Sequence, residues 1–361
     1  MYIATNRKLN EAAQGLDIFG DTPSGQGPNE LRLVKTTLSG KEYHTEILDD
    51  RLTEQQVIDL KQQYRLDIDT AAPWYVSLKV ACEIMAKARA QKKHVLFYVH
   101  GYNNDMHDIV KTALGLEALY NVLVVPFTWP ANGGGLAGTA SYLGDKQDAR
   151  ASADALNRFI EKIRVYHGLL TQNRSAKLMD KAHKKFPDNA EDCRQYYVSS
   201  QNRDCKVSLN LMCHSMGNYV LKYALMPNDS PAARLVFDNV SLLAADTNNA
   251  RHEQWVQRIQ VRHRVYIVIN ENDFALKWSR RKPGEEQLAR LGHYLKNLVA
   301  DNAHYLDVTD ADNVKNEHSY FQGSPVLKNP SLKKLFHTLF EGGTAESGLD
   351  YRADINAYIL K

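Results

Sequence analysis

Along most of the chain, short apolar runs alternate with longer segments whose apolar residues recur at helical spacing. The runs that predict strands cover residues 93–99, 122–129, 207–212, 240–244, 264–269 and 304–308. Helical periodicity is found over residues 76–90, 106–120 and 146–163. Because strands that are separated by helices pair in parallel, this order predicts a mainly parallel central sheet with helices on both faces.

The beginning of the chain and one internal segment depart from this alternation. Residues 31–38 and 42–48 read as strands joined by the turn Ser39-Gly40-Lys41, which predicts an antiparallel N-terminal start. Residues 164–204 are polar and rich in Lys, Asn, Gln and Arg, which indicates an inserted helical segment. Since no long linker or internal repeat divides the chain, we expect one α/β domain over residues 1–361.

The strongest chemical signal lies where the strand at 207–212 runs into Cys213-His214-Ser215-Met216-Gly217 and then into a helical pattern. A serine on so sharp a strand-to-helix turn needs small residues two positions before and after it, and Cys213 and Gly217 meet that need. The following helix adds partial positive charge where an oxyanion forms. We therefore predict that Ser215 is a nucleophile, whereas His214 is expected to point away from it as a structural residue.

A serine nucleophile also needs hydrogen-bond donors for the oxyanion and a pocket for the substrate. The strand at 93–99 ends in His100-Gly101-Tyr102-Asn103-Asn104, where Gly101 lets the backbone bend towards the nucleophile. We predict that the backbone amides of Tyr102 and Met216 form the oxyanion hole. The residues predicted to line the pocket are His100, Gly101, Asn103, Trp129 and Phe274.

The base and the acid of a triad are expected in loops that follow later strands. His318 lies in a polar loop after the last predicted strand and is our candidate for the catalytic base. Asp273 follows the strand at 264–269 and is the preferred acid, because one strand still separates it from His318. Asp246, at the end of the strand at 240–244, is the alternative acid.

The order Ser215, Asp273, His318, together with the elbow and the His100-Gly101 strand end, resembles the α/β-hydrolase superfamily over about residues 31–339. The shorter motifs resemble a bacterial group of uncharacterised serine-hydrolase-like proteins. These motifs are Ala4-Thr5-Asn6-Arg7, Val99-His100-Gly101-Tyr102-Asn103-Asn104, Phe127-Thr128-Trp129-Pro130 and His214-Ser215-Met216-Gly217-Asn218. The resemblance implies the α/β-hydrolase fold and a serine-hydrolase arrangement of side chains.

These residues predict hydrolysis of carboxylic esters or lipid-like acyl substrates through a Ser-His-Asp triad and an acyl-enzyme. A peptidase or amidase with the same triad remains open, since the surrounding loops rather than the triad decide between these substrates. A non-catalytic binding protein with the α/β-hydrolase fold is the alternative from a different class. Serine at the elbow argues against haloalkane dehalogenase and epoxide hydrolase chemistry, which would need a carboxylate there.

Composition narrows the partners and the cellular compartment. The net charge of +3 gives no strong field for nucleic acid, so we expect a small-molecule ester or lipid-like substrate. The chain contains no HExxH, CxxC pair or GxxxxGK motif, so no cofactor and no metal are expected. Four cysteines without a metal-ligand spacing fit a reducing compartment. With neither a signal-like N-terminus nor a transmembrane segment, we expect a cytoplasmic protein, although export by a non-classical route stays open.

Overall fold

The computed structural model describes residues 1–26, 30–40, 42–131, 138–204, 207–227, 229–280 and 289–361, without the side chains of 138–143, 172–177 and 200–204. The strands are β1 (Tyr2–Thr5), β2 (Arg7–Leu9), β3 (Phe19–Pro23), β4 (Arg32–Ser39), β5 (Glu42–Ile47), β6 (His94–Val99), β7 (Val122–Thr128), β8 (Leu209–His214), β9 (Phe237–Leu243), β10 (Val261–Ile269), β11 (Ala303–Asp307), β12 (Asp350–Arg352) and β13 (Ala357–Ile359). The helices are α1 (Glu54–Tyr64), α2 (Val76–Gln91), α3 (Met106–Leu119), α4 (Gly138–Ala151), α5 (Ala153–Lys185), α6 (Ala190–Asp204), α7 (Gly217–Leu225), α8 (Glu253–Val256), α9 (Phe274–Ser279), α10 (Ser324–Lys328) and α11 (Pro330–Phe340).

In these described ranges, eleven strands form one sheet in the order β12-β13-β11-β10-β9-β8-β6-β7-β1-β4-β5. All neighbours from β13 to β1 pair in parallel. The strands β4 and β5 form the predicted antiparallel start at one edge, and β12 pairs antiparallel with β13 at the other. The prediction of a mainly parallel sheet with an antiparallel N-terminal start is confirmed.

Successive side chains of a strand point to opposite sides of the sheet, so each face has its own hydrophobic core. Helices cover both of these cores. In β6, Val95 and Phe97 belong to one hydrophobic core, together with residues of α2, α5 and α7. Leu96 and Tyr98 belong to a second core, together with residues of α3 and α11. The runs of consecutive apolar residues in the sequence are therefore strands that are buried on both faces.

The structure differs from the sequence prediction in the helix expected over residues 146–163. Two helices, α4 and α5, meet at Ser152 instead. The Ser152 hydroxyl donates to the Asp148 carbonyl and accepts from the Asn6 side chain, so this break ties the helices to the N-terminal segment. Helix α5 then continues to Lys185 and, with α6, covers residues 164–204. That the whole chain forms one domain stays a prediction.

Five short strands were missed by the sequence analysis. Strands β2 and β3 pair antiparallel with each other in a separate two-stranded sheet. Strand β1 lies between β7 and β4, while β12 and β13 extend the sheet beyond β11. None of the described helices is long and apolar enough to cross a membrane. Cys82, Cys193 and Cys213 are free thiols, and Cys205 lies outside the described residues.

Candidate active site

The predicted site residues lie beyond the carboxyl ends of neighbouring parallel strands. Ser215 directly follows β8, Asp273 follows β10 and His318 lies in the loop after β11. The segment from His100 to Asn103 follows β6, which pairs with β8. Because the strands are parallel, these segments emerge at the same edge of the sheet, where α/β proteins bind their ligands.

Ser215 has the strained backbone that a nucleophile elbow requires. Its φ angle is +53°, in the left-handed region that non-glycine residues rarely adopt. The turn brings α7 so close to β6 that a Cβ atom at Gly217 would lie 2.5 Å from the Val99 carbonyl oxygen. Only glycine fits there. Burial raises the pKa of the Cys213 thiol, so this neighbouring group stays protonated and does not compete as a nucleophile.

Asn218 fastens the elbow from inside the protein, a role that the sequence analysis missed. Its side-chain Nδ2 lies 3.0 Å from both the Cys213 and the Ser215 carbonyl oxygens and 3.2 Å from that of Leu243. Since Asn218 is completely buried, these hydrogen bonds form away from water and hold the strained turn in one conformation. Its place directly after Gly217 in the motif was the available signal.

Asp273 and His318 form a direct hydrogen-bonded pair. Asp273 Oδ2 lies 2.7 Å from His318 Nδ1, and its Oδ1 accepts the Leu276 amide at the start of α9. The Asp273 side chain is completely buried, whereas His318 keeps 24% of its side-chain surface exposed. With Nδ1 donating to the carboxylate, a neutral His318 presents an unprotonated Nε2 that can accept a proton.

The loops that carry the acid and the base are tied to each other. Asn270 Nδ2 donates to the carbonyls of Lys315 and Glu317, at 3.0 and 3.1 Å. The Phe274 amide donates to the Asn316 carbonyl at 3.2 Å. The distance between Asp273 and His318 is therefore fixed by their backbones as well as by their side chains, which limits the reorganisation needed during a reaction.

His214, which the sequence analysis expected to point away from Ser215 as a structural residue, lies beside the candidate base. Its ring lies 4.7 Å from the His318 ring, centroid to centroid, and its Nε2 lies 3.2 Å from the His318 carbonyl oxygen. Burial, and next the proximity of His318, lower the pKa of His214 well below its usual value. His214 is therefore a neutral donor that holds the backbone of the candidate base.

The alternative acid, Asp246, has different partners. Its Oδ1 lies 3.0 Å from the Arg290 Nε atom and accepts a hydrogen bond of 2.6 Å from the Ser279 hydroxyl. Both Asp246 and Arg290 are buried, so each charge compensates the other away from water. This geometry places Asp246 in an ion pair, while Asp273 contacts His318.

The buried side chain of His100 stabilises the turn that precedes Tyr102. Its Nδ1 donates to the Gly101 carbonyl, and its Nε2 accepts from the Thr128 hydroxyl at 3.0 Å and the Trp129 amide at 3.2 Å. Arg7 Nε donates to the same Thr128 hydroxyl at 2.9 Å, which leaves the hydroxyl proton for His100. Burial, and next the charge of Arg7, lower the pKa of His100 to about 3, so the ring is neutral.

The other residues predicted for the pocket differ in their exposure to solvent. The Trp129 ring stacks on His100 at 5.3 Å, and both side chains are completely buried, so they support the turn and do not line a surface. Asn103 is exposed with a φ of +57°. Phe274 is 55% exposed and touches Trp278, also exposed, on α9. Gly101 lies directly beside Ser215, since a Cβ atom there would lie 2.6 Å from Ser215 Cβ.

Both residues predicted to form the oxyanion hole lie next to Ser215 or Gly101 in the chain. Met216 immediately precedes α7, so its backbone amide lies at the N-terminal end of this helix, where the helix dipole is positive. Tyr102 is half-buried and packs against the core under α7. Among the described residues, Ser215 Oγ has no hydrogen-bond partner. No group of three or more His, Cys, Asp or Glu side chains in the described ranges is placed to hold a metal ion.

Two histidines with lowered pKa values, the completely buried His100 and the half-buried His167, predict that the protein loses stability in acid. The pKa of His100 is lowered to about 3 and that of His167 to about 4, in each case chiefly by burial. Between these values and about pH 6.5 the unfolded chain binds protons that the folded chain does not, so stability falls as the pH falls. The expected slope is about 1.4 kcal/mol per pH unit for each such histidine.

Urea unfolding at about pH 8, 6 and 5 measures this slope. Stability should be nearly constant above about pH 7.5, where neither state protonates these rings. A His167→Gln variant should lose one histidine's share of the slope. Equal stability of the wild type at pH 5 and pH 8 would contradict the assignment of neutral rings.

Comparison with known proteins gave one family. The model described as "Alpha/beta hydrolase of unknown function (DUF900)" matches residues 80–170 and 174–338, which is more than half of the chain. No curated protein and no solved structure is detectably similar to the chain. The matched ranges contain β6 to β11 and every candidate member of the triad.

Proposed function

We propose that this chain, which belongs to the alpha/beta hydrolase family of unknown function whose model it matches, is a serine hydrolase of carboxylic esters or lipid-like acyl compounds. Ser215 is the proposed nucleophile, His318 the base and Asp273 the acid. The amides of Tyr102 and Met216 are the proposed oxyanion hole. A cytoplasmic location stays a prediction.

The first half of the proposed reaction forms an acyl-enzyme. As Ser215 Oγ bonds to the substrate carbonyl carbon, its proton passes to His318 Nε2. The carbonyl oxygen becomes an oxyanion that accepts hydrogen bonds from the two backbone amides. When the intermediate collapses, the ester C–O bond breaks, and the leaving alcohol takes the proton from His318.

The second half returns the enzyme to its starting state. A water molecule gives a proton to His318 Nε2 and attacks the acyl carbon through the same kind of oxyanion. The bond to Ser215 Oγ then breaks, the oxygen recovers its proton from His318, and the carboxylic acid leaves. Throughout both halves Asp273 stabilises the imidazolium and keeps its Nδ1 proton in place.

The observation that carries this proposal is the pairing of Asp273 with His318 at 2.7 Å, at the sheet edge where Ser215 has its strained elbow. An ordinary Asp–His ion pair on the solvent-exposed surface would not need the supporting contacts found here. Here the acid is completely buried, its loop is bonded to the loop of the base, and Asn218 fastens the nucleophile. Such rigid support is what a catalytic arrangement requires, since small displacements cost much of the rate.

Labelling with a fluorophosphonate probe tests the proposal, because such probes react with serines that a neighbouring base activates. The wild type should be labelled at Ser215, and a Ser215→Ala variant at equal folded concentration should not. A Ser331→Ala variant, altered at an exposed serine of α11, should be labelled like the wild type.

Each outcome separates the alternatives. Labelling that survives in Ser215→Ala would contradict Ser215 as the nucleophile. A folded wild type that takes no label would favour the non-catalytic binding protein. If the wild type is labelled, parallel assays on esters and on amides of the same acyl groups distinguish an esterase from a peptidase or amidase.

A further inference from the structure

A largely apolar cavity of about 230 Å³ lies between α2, α5 and the strands β4, β6, β7 and β8. Its walls include Met85, Phe97, Val125, Phe159, Ile163 and Leu209. These residues are distinct from those of the Ser215 site. In β6 the cavity contacts Val95 and Phe97, whereas the candidate active site begins after Val99, beyond the end of the strand.

The cavity explains why some members of the core are not fully covered. Met85, Phe97 and Phe159 each keep 6% of their surface accessible, although they belong to the hydrophobic core. Protein interiors are close-packed, and a void of this size deprives its walls of contacts. An apolar cavity of about 150 Å³ is already large enough to bind benzene. A ligand with a short alkyl chain would restore the missing contacts.

The rim of the cavity is charged. Lys162 places its ammonium group 3.8 Å from the centroid of the Tyr75 ring, and Arg158 lies on the same helix, one turn earlier. In the described part of the chain no carboxylate forms an ion pair with Lys162. An aromatic ring stabilises a cation without neutralising it, so this ammonium can still bind an anion.

Two acidic residues, Asp49 and Asp50, also belong to the rim. Burial, and next the charge of Arg158, lower the pKa of Lys162, whereas Asp50 acts in the opposite direction. The carboxylates of the rim thus repel a bound anionic head group, whereas the basic side chains attract it. Their separate removal should move affinity in opposite directions.

We propose that this cavity is a second ligand site, which binds the alkyl chain of an amphipathic anion and places the anionic head group at Lys162. The apolar walls select the chain, and the ammonium group of Lys162 selects the head group. The site does not depend on the proposed hydrolase function.

Isothermal titration of the full chain with octanoate, octan-1-ol and octylamine tests this site. Octanoate should bind about tenfold or more tightly than the alcohol or the amine. Lys162→Met should weaken octanoate binding about tenfold without affecting octan-1-ol, and Lys162→Arg should restore it. Asp50→Asn should tighten octanoate binding. Lys111→Met, which removes an exposed charge on α3, is the matched control and should bind like the wild type.

A variant that fills the cavity tests the position of the alkyl chain. Ala81→Phe, on the wall formed by α2, should weaken octanoate and octan-1-ol binding alike, by about tenfold or more. If this variant fails to fold, the Lys162 and Asp50 variants still decide. Equal affinity for octanoate and octylamine, affinity that Lys162→Met leaves unchanged, or no binding by the folded wild type would each overturn the proposal.

Discussion

Replacing Asp273 with asparagine is expected to lower kcat for ester hydrolysis by about 10⁴-fold while the fold is retained. Asparagine has the same shape, and its Oδ1 can still accept the Leu276 amide at the start of α9. Its Nδ2, however, would face His318 Nδ1 as a donor where the carboxylate accepts. His318 would then carry its proton on Nε2, which cannot accept the proton of Ser215.

The measurement compares kcat and KM of the wild type and Asp273→Asn on the ester that the wild type cleaves fastest. Because the loss arises in the chemical step, KM should change much less than kcat. Asp246→Asn is the matched control. It removes a buried carboxylate that pairs with Arg290, so it should cost stability but lower kcat by less than about tenfold.

The reverse result would reassign the acid. If Asp246→Asn loses most of the activity while Asp273→Asn stays near the wild type, Asp246 would be the functional carboxylate. The contact between Asp273 and His318 would then be structural. Urea unfolding of both variants separates this case from a simple loss of folded protein.

The central sheet could be predicted because its strands have recognisable local sequence patterns. The strands from β6 to β11 are five to nine residues long and rich in apolar residues, and helical spacing separates the first of them. The elbow was equally visible, since a strand, a small residue on each side of Ser215 and a helix follow directly in the sequence. Local signals of this kind need no knowledge of which segments meet in space.

The parts that were missed depend on contacts between distant segments. Strand β1 has four residues, and β12 and β13 have three each, so their assignment comes from pairing with β7 and β11 rather than from periodicity. The orientation of His214 towards His318 depends on a loop more than 100 positions later, since its partner there lies 104 residues away. Tertiary pairing of this sort leaves no pattern in a short window.

The contacts that Arg7 of the N-terminal motif makes with distant segments could not be predicted either. Arg7 was recognised only as part of a resemblance, yet its guanidinium is buried and bonded to Thr128 and to the Asn104 carbonyl. Through Thr128 it also fixes the ring of His100. His100 was predicted to line the pocket, whereas this chain of hydrogen bonds holds it behind the turn at Gly101. A buried cation with several acceptors is costly to leave unpaired, which explains why these segments are held together.

That turn is the second place where a large effect is expected. Gly101→Ala should lower kcat by about 10² to 10³-fold, the loss that accompanies removal of one oxyanion donor. An added Cβ would lie 2.6 Å from Ser215 Cβ and 3.2 Å from Ser215 Oγ, so either Ser215 or the turn before Tyr102 must move. Overpacking of this kind also costs about 1 to 3 kcal/mol of stability. Steady-state kinetics and the rate of fluorophosphonate labelling measure the effect on Ser215.

Gly115→Ala provides the same substitution without the clash. Gly115 lies in α3, and its added Cβ would meet only the Gln322 Oε1 atom at 3.6 Å, an ordinary contact. This variant should gain up to about 1 kcal/mol of stability, since alanine favours a helix over glycine, and should keep the activity of the wild type. The difference in kcat between the two variants therefore measures the effect of the clash with Ser215, separate from the general effect of adding a methyl group. Should Gly101→Ala keep kcat within a few-fold of the wild type, the turn at Gly101 would not position an oxyanion donor, and the proposed role of the Tyr102 amide would be wrong.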